Sequence, residues 1–260
     1  MMWVYVWIAT QIITESLPVS SSSHMRLLSS YIQRAGGSSF LNALPRYFDD
    51  FLHLPTLLML IVFFWYRWAP VVGQLDQTFL PFILRVLLAS GITVLFYGLF
   101  SYTGWREAFP LVAGLLVTSL LLFSLYLLPK GAPEAPLSWG SAAIVGVVQG
   151  ISLLPGISRL GATFVVSRWL GISSPHALEF SCAIQVPLII AAVIRSVGHL
   201  LTSPLCAQLL NPATCLVMLF SGIVSYYGFW VTWTWALTDR FWWFGFYVAG
   251  LIAAIVVGGI

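Results

Sequence analysis

Near the N-terminus, Thr14-Glu15-Ser16-Leu17-Pro18-Val19-Ser20-Ser21-Ser22-Ser23-His24 sets an acid, four consecutive hydroxyls and an imidazole in an otherwise apolar region. Ionisable groups at membrane depth cost roughly 2.5 to 3.5 kcal/mol each even on the mildest scales, so their presence points to chemistry or transport. A serine becomes a nucleophile when a base sits beside it. Ser21 and His24 are three apart and share a face in a first helical turn. Serine is a favoured N-cap, and a helix N-terminus offers free N–H groups to an anion. Glu15 would orient or charge-stabilise His24, or hold a divalent cation. The same residues also fit a capped helix start with a buried, hydrogen-bonded histidine, and this stretch alone leaves both readings open.

A second interruption is Leu154-Pro155-Gly156-Ile157-Ser158-Arg159-Leu160-Gly161-Ala162-Thr163. Gly156 and Gly161 let backbone approach a ligand closely, and Ser158 caps the next helix. Arg159 in the first turn opposes the helix dipole unless an anion lies between them. Its planar fork suits phosphate, and Thr163 adds a hydroxyl. The plainer alternative is a Pro-Gly turn with a snorkelling arginine. If the two interruptions meet, they bring Glu, His, Ser, Arg and Thr around one cavity. That is what phosphoryl transfer needs: a positioned nucleophile and donors for the non-bridging oxygens.

The chain that must position them has 260 residues, 60% hydrophobic and 7% charged, with net charge +3 and mean hydropathy +0.95. Soluble domains carry about 25% charged residues. This chain cannot cover a water-facing surface, and its small basic surplus gives no case for nucleic acid. Twelve Trp and ten Tyr suit interfacial belts. The three cysteines form no metal-ligand spacing and read as small apolar residues. A Cys206–Cys215 bridge would need an oxidising side. The N-terminus lacks a basic region before its apolar run, so it is expected to be retained.

Apolar stretches predict spans over 48–66 (kinked at Pro55), 77–98, 108–129, 175–200, 212–233 and 241–259. Residues 2–16 and 138–154 are too short to cross about 30 Å of hydrocarbon. Each ends at a proline and is followed by a short helix, 24–34 and 159–170, giving two re-entrant pairs. Sliding the chain by 138 residues lays Gln11 on Gln149 and Ser20 on Ser158. At an offset of 132, Leu52-His53-Leu54-Pro55 resembles Ile184-Gln185-Val186-Pro187. Broken helices at matching places in two halves point to a site at the repeat interface. Three spans separate the copies, so the expected fold is an all-α integral membrane protein with an inverted-topology repeat. Its halves are 1–130 and 138–260, with about six spans and two re-entrant pairs.

Both interruptions, in this order and spacing, resemble the bacterial undecaprenyl-diphosphate phosphatases, also called bacitracin-resistance proteins. Phe48-Asp49, Glu179-Phe180-Ser181 before Pro187 and the aromatic start of the last helix resemble them too, so the likeness runs over nearly the whole chain. The resemblance implies hydrolysis of undecaprenyl diphosphate to the monophosphate carrier of cell-wall synthesis, in the bacterial inner membrane. It further implies a site open to the outer face, dependence on a divalent cation (Mg or Ca) and a homodimer. By position it makes Ser21 the nucleophile, His24 its base or proton shuttle, and Glu15 a catalytic carboxylate and cation ligand. Arg159, Ser158, Thr163, Ser20, Gly156 and Gln11 become the substrate-binding set. Gln11 stands where the family has its first glutamate, Ser23 replaces the glycine before the histidine, and Leu160 replaces a common serine. A polyprenyl-phosphate transporter on the same inverted repeat is the alternative. A non-catalytic scaffold would leave the buried polar residues unexplained.

Other polar residues have plainer expectations. His53 reads as a satisfied core histidine before it reads as a cavity residue. Gln149 and Gln185 satisfy broken backbone, Asp49 and Asp50 cap their span, and Glu179 pairs with an arginine such as Arg168. Arg85 and Arg195 snorkel or pair rather than bind substrate.

Overall fold

The computed structural model describes residues 2–37, 44, 46–73, 79–129, 134–203 and 209–258. Their regular structure is helical. The helices are α1 (Met2–Glu15), α2 (Ser21–Arg34), α3 (Arg46–Phe51), α4 (His53–Gly73), α5 (Phe79–Thr103), α6 (Trp105–Ala108) and α7 (Leu111–Ser124). They continue with α8 (Trp139–Ile151), α9 (Arg159–Trp169), α10 (Ser174–Ala183), α11 (Val186–Leu201), α12 (Pro212–Leu237) and α13 (Phe244–Gly258). Most of the loop expected over 35–47, and Cys206 with any bridge to Cys215, lie outside the described residues.

Among the described residues, five stretches are long and apolar enough to cross a membrane: Tyr47–Trp68, Phe79–Thr103, Ser174–Leu201, Pro212–Leu237 and Phe241–Gly258. Leu84, Leu87, Leu95, Leu219 and Phe220 point outward and are exposed, as a lipid-facing surface requires. The chain is a multi-pass integral membrane protein. The span expected over 108–129 is shorter, Leu111–Leu127. Pro110 stands before its first turn, and its end tightens into a 3-10 turn at Leu125–Leu127.

Two spans are broken rather than gently kinked, for one reason. Proline removes a backbone donor and its ring clashes with the carbonyl four residues back. Pro55 faces Phe51, where α3 ends, and Pro187 faces Ala183, where α10 ends. A carbonyl freed in an apolar interior needs another donor. Ile184 O receives Gln149 Nε2 at 3.1 Å and Ser90 Oγ at 3.1 Å, while Gln185 Nε2 donates to Ser181 O at 3.0 Å.

The packing is reciprocal. The short helix α1 lies against α12, and the short helix α8 lies against α5. Each turns back through a partner, α1 with α2 and α8 with α9. Helices α4 and α11 meet each other, as do α7 and α13. Val19 and Leu160, one from each interruption, are buried in one cluster with Leu60, Phe64, Leu115 and Leu178. A single apolar core therefore fixes both interruptions.

Several polar residues differ from expectation. Glu179 pairs with Arg67 at 3.4 Å and accepts Trp68 Nε1 at 3.0 Å. Arg168 instead donates to Ile172 O at 2.5 Å, closing its own helix end. Asp49 accepts Trp7 Nε1 at 2.6 Å, and Asp50 pairs with Arg195 at 2.6 Å. Both acids thus tie elements together, Asp49 doing so from the first turn of α3, where the dipole favours it. Arg85 lies over the Trp139 ring at 5.2 Å.

Candidate active site

The first interruption is an elbow between α1 and α2. Ser16 O is held by Thr232 Oγ1 of α12 at 3.1 Å. Ser20 takes a left-handed conformation, φ 65° and ψ 88°, which costs a non-glycine residue of order 1 kcal/mol or more. The strain turns the chain so that α2 begins at Ser21. Ser20 Oγ makes no cap; it bonds Ser22 Oγ at 3.2 Å and Ser23 Oγ at 2.9 Å.

The second elbow turns at Gly156, φ +90°, pressed so closely on α7 that an added Cβ would lie 2.4 Å from Leu111 O. Thr118 of α7 clamps it. Its hydroxyl donates to Gly156 O at 2.8 Å and accepts from Ser158 N at 2.9 Å. Ser158 caps α9 by accepting Gly161 N at 3.1 Å, so Arg159 starts a helix aimed at the first elbow.

The elbows meet at Glu15. One carboxylate oxygen, Oε2, accepts Ser21 Oγ at 2.5 Å and lies 3.4 Å from Gln11 Nε2. The other, Oε1, accepts Arg159 Nη2 at 2.7 Å. That carboxylate is the anion which the unfavourable placement of Arg159 demanded. His53 Nδ1 stands 3.7 Å from the same Oε1, buried and without a hydrogen bond. A cavity of about 470 Å³ opens beside this cluster. Its wall includes Glu15, Ser20, Ser21, His53, Ser158 and Arg159, and beyond them Asp50, Arg106 and Arg195.

Four expected site residues stand outside that wall. Gln11 backs Glu15. Gly156 shapes the turn. Thr163 Oγ1 donates to Arg159 O at 2.7 Å, so its hydroxyl is spent on its own helix. His24 has its two ring nitrogens engaged elsewhere than on Ser21. Nδ1 faces Ser20 O at 2.9 Å, and Nε2 faces Tyr247 OH of α13 at 2.8 Å. A carbonyl only accepts, so Nδ1 carries the proton, and the neutral ring accepts from Tyr247 through Nε2. The ring also stacks on Tyr247, with centroids 5.7 Å apart. His24 lies on α2, outside the spanning helices. Burial pulls its pKa below the ordinary imidazole value, against the opposing effect of the Ser20 carbonyl.

The ionisable side chain at hydrogen-bond distance from Ser21 is therefore Glu15. The sequence spacing brought His24 to the correct face, but the left-handed Ser20 offers its carbonyl to the ring first. His53, Thr118, Thr232 and Tyr247 were not singled out for the site. His53 had one signal, its position opposite Gln185 in the offset comparison. The two threonines had another: a hydroxyl within an apolar helix needs a partner, and here it is an elbow.

The chain matches the family model of the bacitracin resistance protein BacA over residues 8–255. Among similar proteins, the undecaprenyl-diphosphatase of Rhodopirellula baltica is 30% identical, with 97% of this chain and 96% of that protein covered. Those of Borrelia recurrentis and Bdellovibrio bacteriovorus are 31% and 27% identical, covering 74% and 84% of this chain and the same shares of their own. With a match of that extent, the chain belongs to the bacitracin resistance protein BacA family.

Proposed function

We propose that this protein hydrolyses undecaprenyl diphosphate to undecaprenyl phosphate and inorganic phosphate in the bacterial inner membrane, returning the lipid carrier to cell-wall synthesis. The observation that carries this reading is the Ser21–Glu15–Arg159 cluster: a hydroxyl bonded to a buried carboxylate that also holds a guanidinium. Ser21 Oγ attacks the terminal phosphorus and passes its proton to Glu15 Oε2. The bond from phosphorus to the bridging oxygen breaks, and undecaprenyl phosphate leaves with that oxygen. Arg159 turns from Glu15 to the non-bridging oxygens as charge builds there. Water then bonds to phosphorus as the bond from phosphorus to Ser21 Oγ breaks; Glu15 returns its proton to Ser21 Oγ, and the water protons leave with the phosphate. His24 is a positioning residue in this scheme: it grips Ser20 O and so holds the strained turn that aims Ser21.

The donors would help hold a divalent cation shared with the substrate, which the family resemblance gives as Mg or Ca. Glu15 and the orphaned Nδ1 of His53 would hold it, with Gln11 behind as a neutral oxygen. Among the described residues no three His, Cys, Asp or Glu side chains cluster to form a complete cage, and such cations commonly take their remaining ligands from phosphate and water. When bound it would neutralise diphosphate charge. The reading of 1–130 and 138–260 as inverted repeats is supported by the reciprocal packing of α1 on α12 and α8 on α5. Assembly as a homodimer rests on the family resemblance.

The test is phosphate release from a short-chain prenyl diphosphate by purified protein in detergent with cation present. Release that is lost in Ser21→Ala supports the reading. Well-folded wild-type protein that binds the lipid without releasing phosphate overturns it in favour of a carrier.

A further inference from the structure

Ser21 and Arg159 deal with one phosphoryl group, but a diphosphate ester presents two. The cavity has a second cationic corner. Arg195 of α11 and Asp50 of α3 pair at 2.6 Å across 145 positions, and Tyr97 of α5 lies within electrostatic reach of the Arg195 side chain. All three line the cavity that Glu15 and Ser21 line. His53 lies within electrostatic reach of both Glu15 and Asp50, so this corner adjoins the reacting cluster. Arg106, also in the wall, is within reach of Tyr97.

The corner lies toward the lipid. On α11, Leu188, Ile189, Ala191 and Ala192 line the cavity just before Arg195, and Val94 does so one turn before Tyr97 on α5. Val94, Ile190 and Ile194 on these same helices are exposed apolar groups. A prenyl tail fits that wall, which places the phosphate nearest the tail beside Arg195. The Arg195 and Asp50 side chains are 55% and 31% exposed. An ion pair that exposed contributes little, whereas a guanidinium and phosphate form a charge-assisted, forked contact. Exchange of Asp50 for phosphate therefore gives up little.

We propose that Arg195, with the Tyr97 hydroxyl, holds the lipid-side phosphate, the one that stays on the carrier, while Arg159 takes the terminal phosphate that is transferred. Asp50 holds Arg195 when the site is empty. This assignment rests on the phosphatase reading. It makes the site a reader of two phosphates in a fixed order, and it leaves the monophosphate product one arginine contact.

The experiment compares wild type, Arg195→Gln, Arg195→Lys and Tyr97→Phe on a short-chain prenyl diphosphate. Inhibition is measured with the matching prenyl monophosphate and with inorganic phosphate. Arg195→Gln is expected to raise KM about tenfold, the scale of one lost charged hydrogen bond, with a much smaller fall in kcat. It should weaken monophosphate inhibition by the same factor and leave inorganic phosphate inhibition unchanged. Arg195→Lys, which keeps the charge but not the fork, falls between. Arg159→Ala should show the mirror pattern, with weakened inhibition by inorganic phosphate. Monophosphate inhibition within twofold of wild type in Arg195→Gln overturns the proposal, as does equal weakening of both inhibitors. If Arg195→Gln does not fold, the same shift in Arg195→Lys and Tyr97→Phe supports it, and no shift in either overturns it. Failure of the phosphatase reading looks different: the wild type releases no phosphate. Direct binding of the monophosphate to wild type and Arg195→Gln then still decides whether Arg195 holds it.

Discussion

Glu15 and Arg159 stand 144 positions apart and meet at 2.7 Å, the carboxylate nearly sealed from solvent and the guanidinium only partly so. One residue thus joins both elbows, because its second oxygen receives Ser21. The charge matters more than the shape. Glu15→Gln keeps the volume and one oxygen but cannot accept the Ser21 proton. General-base losses are typically 10²–10⁴-fold, so kcat should fall by about that factor with KM changed far less. Steady-state phosphate release measures it. A kcat within tenfold of wild type would remove Glu15 from the role of base.

Thr118 is predicted to matter without touching substrate. Its hydroxyl bridges Gly156 O and Ser158 N across the second elbow, in a fully buried place. Thr118→Val keeps the shape and leaves two backbone groups unsatisfied, at about 1–3 kcal/mol. Thermal unfolding in detergent should show that loss. Because Arg159 follows Ser158 directly, KM should rise as well. A variant with unchanged stability and kinetics would mean that the elbow is held elsewhere.

The sequence made the two elbows legible because each combines a proline break with polar residues in apolar surroundings, a conflict that only a site or a turn resolves. Pro55 and Pro187 were legible as bends, but not as full breaks: local sterics end their helices four residues upstream. Partner choice was not legible. Whether Ser21 turns to His24 or to Glu15 depends on the φ of Ser20, which no residue type announces. Glu179 met Arg67 rather than Arg168, and Asp50 met Arg195, because helix packing across more than a hundred residues decides such pairs. His53 reached the cavity because its helix restarts there after the break, and a repeat offset alone could not tell that from a core position.

The His24–Tyr247 contact gives a pH prediction. Burial lowers the His24 pKa, so the ring is neutral at neutral pH. The unfolded chain takes up a proton below about 6.5, the ordinary imidazole value. The folded protein resists it, so this contribution to stability is present above that value and is lost as pH falls. Tyr247→Phe removes a donor that favours the neutral ring, and His24 then protonates more easily. The acid limb of kcat should move to higher pH by up to about one unit, the scale of one hydrogen bond. A pH–rate profile tests it. An unmoved limb would mean that His24 titration does not govern turnover.

The cation site can be read without turnover. Gln11 offers Glu15 a neutral amide at 3.4 Å where the family resemblance places a second carboxylate, and His53 Nδ1 faces the same group with no partner. A neutral oxygen and an imidazole bind hard Mg or Ca more weakly than carboxylates do, while imidazole suits softer divalent ions. Gln11→Glu is therefore expected to tighten Mg or Ca binding. His53→Gln should weaken Zn binding more than Mg binding, on the order of tenfold, as loss of a ligand or its support commonly does. Calorimetric titration of the purified protein with each ion, without substrate, gives both numbers. Affinities unchanged by either substitution would place the cation away from Glu15, and the orphaned His53 nitrogen would then need another explanation.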